Sequence, residues 1–94
     1  MNDEQVESRM TTYRLAALPG DGTGREVMRE ALRVLSVFEE NSPLSFEIKE
    51  IPCGGQYYLE TGEEWPAGSF EYCRDQSDAI LLGAIGWPDA RLPN

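Results

Sequence analysis

The sequence contains no histidine, only two cysteines and no long apolar run. Because histidine is the commonest general base, a His-dependent catalytic triad cannot be assembled from this chain alone. Cys53 and Cys73 form no Cys-x-x-Cys unit, so a structural zinc site is disfavoured. We interpret both as reduced, partly buried thiols of a cytoplasmic protein.

Basic residues are also few, since 8 Lys and Arg face 17 Asp and Glu and the net charge is −9. Such a charge repels phosphate groups and therefore disfavours nucleic acid and anionic membranes as partners. No run approaches the roughly 20 apolar residues that span a bilayer. Residues 1–12 lack the apolar core of an export signal, and we expect them to form a disordered tail.

What the sequence does contain is an alternation of strand-like and helix-like segments. Residues 13–18 and 79–82 are short apolar runs, typical of strands covered on both faces, and the second of them predicts a central strand. Residues 44–49 alternate apolar and polar side chains like an edge strand. Helices are predicted over 24–38 and 67–76. The order β-α-β-α-β is typical of a parallel sheet with crossover helices and predicts an α/β fold.

The predicted helix over 24–38 carries the clearest periodic pattern. Five apolar residues at helical spacing predict the face that packs on the sheet: Val27, Ala31, Val34, Leu35 and Phe38. Thr23 and Glu26 have the spacing of a capping box at its start. In the later, shorter helix, Phe70 and Cys73 are spaced to face the core.

The first of two glycine-rich loops is residues 20–24 (GDGTG), directly after the first predicted strand. Its third glycine comes one residue too early for a dinucleotide fingerprint, and the Lys of a P-loop is missing. A strand-to-helix turn of this kind leaves backbone N–H groups free to face an anion or a cofactor. A purely structural interpretation stays open beside it, because glycines permit a tight turn and Asp21 favours the positive terminus of the following helix.

The second loop, residues 83–88 (GAIGWP), leaves the carboxyl end of the apolar run 79–82. Ligands of open α/β sheets bind beyond such strand ends. The glycines would let a flat ligand approach the backbone, with Trp87 as its cover. The alternative is an ordinary Gly/Pro turn in which Trp87 packs on a neighbouring domain.

The two loops and their surroundings resemble one enzyme family. Residues 13–27 (YRLAALPGDGTGREV) and the following helix resemble the amino terminus of the β-decarboxylating dehydrogenases, which include isopropylmalate, isocitrate and tartrate dehydrogenases. Residues 79–86 are similar to the family's next diagnostic segment, and residues 58–62 (YLETG) occupy a matching place between them. The resemblance covers residues 13–88. It implies a partial parallel-sheet β-α-β-α-β unit of the isocitrate/isopropylmalate dehydrogenase-like fold, with residues 13–94 as the amino-terminal part of an incomplete domain.

The resemblance implies an NAD-dependent oxidation of a 2-hydroxy acid, with Mg or Mn assisting loss of the β-carboxylate. The family's catalytic groups and metal ligands would map beyond Asn94, so no catalytic or metal-binding residue is assigned here and the 94 residues alone are expected to be inactive. The positions that match the family's cofactor-bordering loops are Thr23, Gly24, Ala84, Ile85, Gly86 and Trp87. A homodimeric, cytoplasmic enzyme with a small hydroxy-acid substrate is expected.

The chain also departs from the family pattern at two positions. Thr23 stands where the family generally has Ile, and Arg25 where it generally has Pro. Residues 58–62 and 86–88 are similar to the tartrate dehydrogenase branch, so an isopropylmalate-like and a tartrate- or malate-like substrate both stay open. Two further hypotheses are a non-catalytic small α/β module that binds a ligand or partner, and a flavodoxin-like domain.

Overall fold

A computed structural model describes residues 11–90 of the chain. Within these residues the elements run, in order, β1 (Thr11–Leu18), α1 (Thr23–Asn41), β2 (Leu44–Glu50), α2 (Gly55–Thr61), α3 (Ser69–Asp75) and β3 (Ala79–Leu82). The predicted α/β order is confirmed, with the short helix α2 preceding α3. Of the expected tail, residues 1–10 lie outside the described residues, whereas residues 11 and 12 begin β1.

The sheet has the strand order β2-β1-β3, and both strand pairs are parallel. Leu15 is paired with Ile48 on one side and with Ala79 on the other, so β1 is the central strand of the described sheet. The prediction that residues 79–82 form a central strand is therefore wrong within residues 11–90. There β3 pairs with β1 alone, and Ile80 and Leu82 are 52% and 62% exposed. An apolar run alone does not fix how many neighbours a strand has.

The core lies where the carboxyl half of β1 meets the segment after β2. Its buried residues are Ala16, Leu18, Ile51, Cys53 and Cys73, with Trp65 and Tyr72 packed against them. Both cysteines are unpaired and buried, as predicted. Burial raises the pKa of the Cys53 thiol above its ordinary value, and the nearby negative charge of Asp21 acts in the same direction. The thiol is therefore protonated at neutral pH and takes a structural role.

Helix α1 is rolled away from the orientation that its apolar pattern predicts. Gly24 and Met28 are its buried residues, and Ala31 and Leu35 of the predicted face are half-buried. The other three predicted residues, Val27, Val34 and Phe38, are each more than half exposed. The roll has a steric cause, because a Cβ at Gly24 would lie 2.3 Å from the Pro19 carbonyl oxygen. The helix thus approaches the preceding loop through Gly24, and the valine row points elsewhere.

The start of α1 also differs from the prediction. The helix begins at Thr23 after Gly22, and no side chain caps it, so the capping box of Thr23 and Glu26 does not form. Thr23 is already the first helical residue, one position too late to be the cap. In α3, Cys73 is buried as predicted, but Phe70 is 55% exposed.

Replacing Ile51 tests where the core lies. Ile51 is 2% exposed and its N–H donates to the Ala17 carbonyl, so Ile51→Ala should lower the free energy of unfolding by about 2–5 kcal/mol. The matched control is Ile80→Ala, which removes the same atoms from a half-exposed site and should cost much less. Urea unfolding of the full chain, followed by the fluorescence of Trp65 and Trp87, measures both. Equal losses would contradict this placement of the core.

Candidate functional site

Two loops meet where β1 and β3 end. Because the strands are parallel, their carboxyl ends lie at the same edge of the sheet. The Gly83 N–H donates to the Leu18 carbonyl over 2.7 Å, and the Asp21 N–H donates to the Ala84 carbonyl over 2.8 Å. Residues 19–24 and 83–88 are therefore joined backbone to backbone, as expected for loops that follow neighbouring parallel strands.

The carboxylate of Asp21 fixes a third segment to these loops. Its Oδ1 accepts the Gln56 N–H at 2.9 Å, and its Oδ2 accepts the N–H groups of Gly55 and Gly86 at 2.8 and 2.9 Å. The residue is only 3% exposed. Three donors thus compensate a buried negative charge, and they tie loop 83–88 to the start of α2. We refer to this set of bonds as the Asp21 clamp.

Sequence reasoning missed the clamp, since it assigned Asp21 to the start of the helix that directly follows it. The carboxylate instead satisfies the first two N–H groups of α2, more than thirty residues downstream. A buried carboxylate needs several donors. The signal that could have revealed the partner is the Gly54-Gly55 pair, whose backbone can approach a carboxylate closely: a Cβ at Gly54 would lie 2.7 Å from Asp21 Oδ2.

The clamp sets the charge state of Asp21. Burial alone would raise the pKa of this carboxyl, but the N–H groups of Gln56, Gly55 and Gly86, helped by the charge of Arg25, outweigh it. The pKa therefore lies below its ordinary value, and the group is ionised at neutral pH.

The first loop and the start of α1 already use several of their backbone N–H groups within the protein. The Gly24 N–H donates to the Asp21 carbonyl at 2.8 Å, and the Arg25 N–H donates to the Gly22 carbonyl at 3.2 Å. The Asp21 N–H donates to the Ala84 carbonyl of the second loop, so these three donors are paired within residues 11–90. The role of this loop in binding an anion or a cofactor stays a prediction.

The six residues predicted to border a cofactor come from both loops, and the structure brings the loops together. Thr23 is exposed at the start of α1, and Gly24 is buried against the second loop, where its Cβ position lies 2.7 Å from the Ala84 nitrogen. Ala84, Ile85 and Gly86 are exposed. Their role in binding a cofactor stays a prediction.

Trp87 does not stand over the loops as an isolated cover. It is half-buried beside the start of α2, and a Cβ at Gly55 would lie 2.7 Å from its own Cβ. Its carbonyl accepts the Ala90 N–H at 3.0 Å. Trp87 therefore lies against the start of α2 within residues 11–90.

An apolar cavity of about 450 Å³ lies beneath the second loop. The side chains that shape it include those of Leu18, Tyr58, Trp65, Leu82 and Ile85. Residues 11–90 contain no group of three or more Cys, Asp or Glu side chains that could hold a metal ion. Among the same residues, no helix has the length and apolarity needed to cross a membrane.

Comparison with known proteins agrees with this geometry. The family model described as isocitrate/isopropylmalate dehydrogenase matches residues 14–93. The match covers most of the chain, and the chain therefore belongs to the isocitrate/isopropylmalate dehydrogenase family.

Individual relatives give the same result. The chain is 47% identical over 76 residues to the 3-isopropylmalate dehydrogenase of Buchnera aphidicola subsp. Uroleucon obscurum, covering 81% of this chain and 21% of the relative. It is 43% identical over 79 residues to that of Aquifex aeolicus, covering 84% and 21%. A crystal structure of a beta-decarboxylating dehydrogenase from Thermococcus kodakarensis, in its apo form, superposes with a TM-score of 0.63 at 38% identity, covering 86% and 23%. The chain spans about a fifth of the length of these relatives.

Two glycines of the second loop provide a matched test of the loop contact. A Cβ at Gly83 would lie 2.2 Å from the Pro19 carbonyl oxygen, whereas one at Gly86 would meet nothing within 4 Å. Gly83→Ala should therefore lower the free energy of unfolding by about 1–3 kcal/mol. Gly86→Ala should change it by no more than ~0.5 kcal/mol. Urea unfolding of both variants measures the two changes. An equal loss of unfolding free energy in both would argue against the backbone contact at Gly83.

The clamp predicts a specific dependence of stability on pH. Because the pKa of Asp21 is lowered by folding, its contribution is complete above the unfolded pKa of about 3.9 and is lost as pH falls through the lowered folded pKa. Asp21→Asn should cost about 2–3 kcal/mol at neutral pH, since an amide cannot accept all three N–H groups. The difference from wild type should shrink in acid. Asp89→Asn, at an exposed position, is the control; a pH-independent loss in Asp21→Asn would contradict the assignment.

Proposed function

We propose that this chain forms one edge of the NAD site in an enzyme that oxidises a 2-hydroxy acid and removes its β-carboxylate with the help of a divalent metal. The observation that carries the proposal is the Asp21 clamp. It holds Gly24 against Ala84 at the carboxyl ends of two parallel strands, where open α/β sheets bind ligands. Membership of the dehydrogenase family and the names of the relatives support it.

The described residues fit a flat, partly apolar cofactor. Ile85 is 56% exposed on the second loop, next to the apolar cavity, and offers a surface on which a ring can pack. Thr23, exposed at the start of α1, offers a hydroxyl where the family pattern has an apolar side chain. NAD, when bound, accepts the hydride that leaves the hydroxyl-bearing carbon of the substrate. The part of this chain is to position the cofactor and to keep water from one side of it.

Residues 11–90 do not supply the metal centre of this proposal. They hold no cluster of possible ligands, so we assign them no step of metal chemistry. The Mg or Mn ligands, the catalytic acid and base and the groups that bind the substrate carboxylates would come from other parts of the enzyme. The names of the relatives favour an isopropylmalate-like substrate over a tartrate- or malate-like one. We extend to the whole enzyme the family expectation of a cytoplasmic homodimer.

The proposal is tested on the protein expressed from its complete coding sequence. NADH formation is followed with 3-isopropylmalate, tartrate and malate in turn, with Mg or Mn present. Turnover with one of them, abolished by a chelator and restored by added metal, is the expected result. Absence of both turnover and NAD binding with all three substrates would overturn the proposal and favour a non-catalytic binding module.

The role of the second loop is tested separately in the same protein. Ile85→Ala removes the exposed apolar contact and should raise the KM for NAD about tenfold, equivalent to ~1.4 kcal/mol of binding. Val34→Ala is the matched control, because Val34 is equally exposed but lies on α1 outside both loops. Steady-state kinetics with varied NAD gives the comparison. An unchanged KM in Ile85→Ala would remove this residue from the cofactor edge.

A further inference from the structure

A second cleft lies between α1 and residues 50–60, with Pro19 and Gly20 of the first loop also in its lining. Its volume is about 870 Å³, within the range of small-molecule sites. None of the six predicted cofactor-bordering residues lines it. A ligand bound in this cleft would therefore be distinct from the cofactor of the proposed function.

Three arginines of α1 line this cleft. Arg25, Arg29 and Arg33 are four residues apart, so they lie in a row on one face of the helix, with a rise of about 6 Å between neighbours. The chain as a whole has only 8 basic residues and a net charge of −9. Such a concentration of basic residues on one face of an acidic chain is an electrostatic feature that an anion can use.

The three guanidinium groups are not equally engaged. Arg25 donates to the Gln56 side-chain oxygen at 3.0 Å and, more weakly, to the Gly20 carbonyl at 3.4 Å. Arg33 is paired with Glu30 at 3.0 Å, one turn back on the same helix. Within residues 11–90, no hydrogen bond or ion pair engages the side chain of Arg29. Arg29 thus has all of its N–H donors available. Of its two neighbours in the row, Arg25 is held in place by hydrogen bonds, and the charge of Arg33 is neutralised by Glu30.

We propose that this cleft binds a small, multiply charged anion, with Arg29 as the principal contact and Arg25 as a second one. A guanidinium group forms paired N–H bonds to the planar oxygen pairs of carboxylates and phosphates, which defines the chemistry of the ligand. Tyr57 lines the same cleft and adds an amphipathic wall. Glu50 and Glu60 also line the cleft. Their negative charges confine the attraction for anions to the row of arginines, so a weakly charged anion gains little binding free energy there.

The test is a calorimetric titration of the full chain at low ionic strength, with pyrophosphate and citrate as separate probes. Saturable binding is expected, and the tighter probe assigns phosphate or carboxylate chemistry. Arg29→Gln should weaken binding about tenfold or more, because it removes a charged donor pair. Arg74→Gln is the matched control, since Arg74 is also exposed but lies on α3 and is paired with Asp75. It should stay within about twofold of wild type.

Two further variants keep the result independent of folding defects. Glu60→Gln should tighten binding, because it removes a negative charge from the cleft, and no unfolded variant could show this gain. Arg29→Lys should retain part of the affinity as a single-point charge. Failure of both probes to bind, or equal weakening by Arg29→Gln and Arg74→Gln, would overturn the site. Neither readout depends on NAD or on turnover, so the site and the proposed function can fail separately.

Discussion

The structure depends on the compensation of one buried negative charge. The carboxylate of Asp21 is almost fully removed from water, and its cost is offset by three backbone N–H groups from two different segments. These donors belong to residues that are 34, 35 and 65 positions away along the chain. A single side chain thereby brings a helix start and a loop to the edge of the sheet. The shape of the candidate cofactor edge follows from this bond set.

Much of the fold follows from local patterns. The apolar run that ends β1 and the alternation in β2 predict strands, and glycine-rich turns mark where they end. The order of the elements, and with it the meeting of the two loops, follows because parallel strands end on the same side of a sheet. The placement of Gly24 beside Ala84 was predictable in this sense. Predicting this contact requires only the order and direction of the strands, not the conformation of either loop.

Other features depend on contacts that no local pattern records. The roll of α1 is set by the close approach of Gly24 to a carbonyl, so Met28 rather than Val27 is buried. The partners of Asp21 lie at residues 55, 56 and 86, and no pattern in the sequence connects these positions to the first loop. The edge position of β3 depends on how many strands flank it, which its own apolar residues do not encode. In each case the missing information is non-local.

The long reach of the clamp also imposes an order of events during synthesis. A ribosome releases Asp21 first, the start of α2 later and Gly86 last, since the chain emerges from its amino end. For most of that interval the carboxylate has no complete set of donors and gains more from water than from burial. The nascent loop is therefore expected to stay hydrated and open until the segment after β3 arrives. The N–H group of Gly86, which emerges last, completes the bonds that join the two loops.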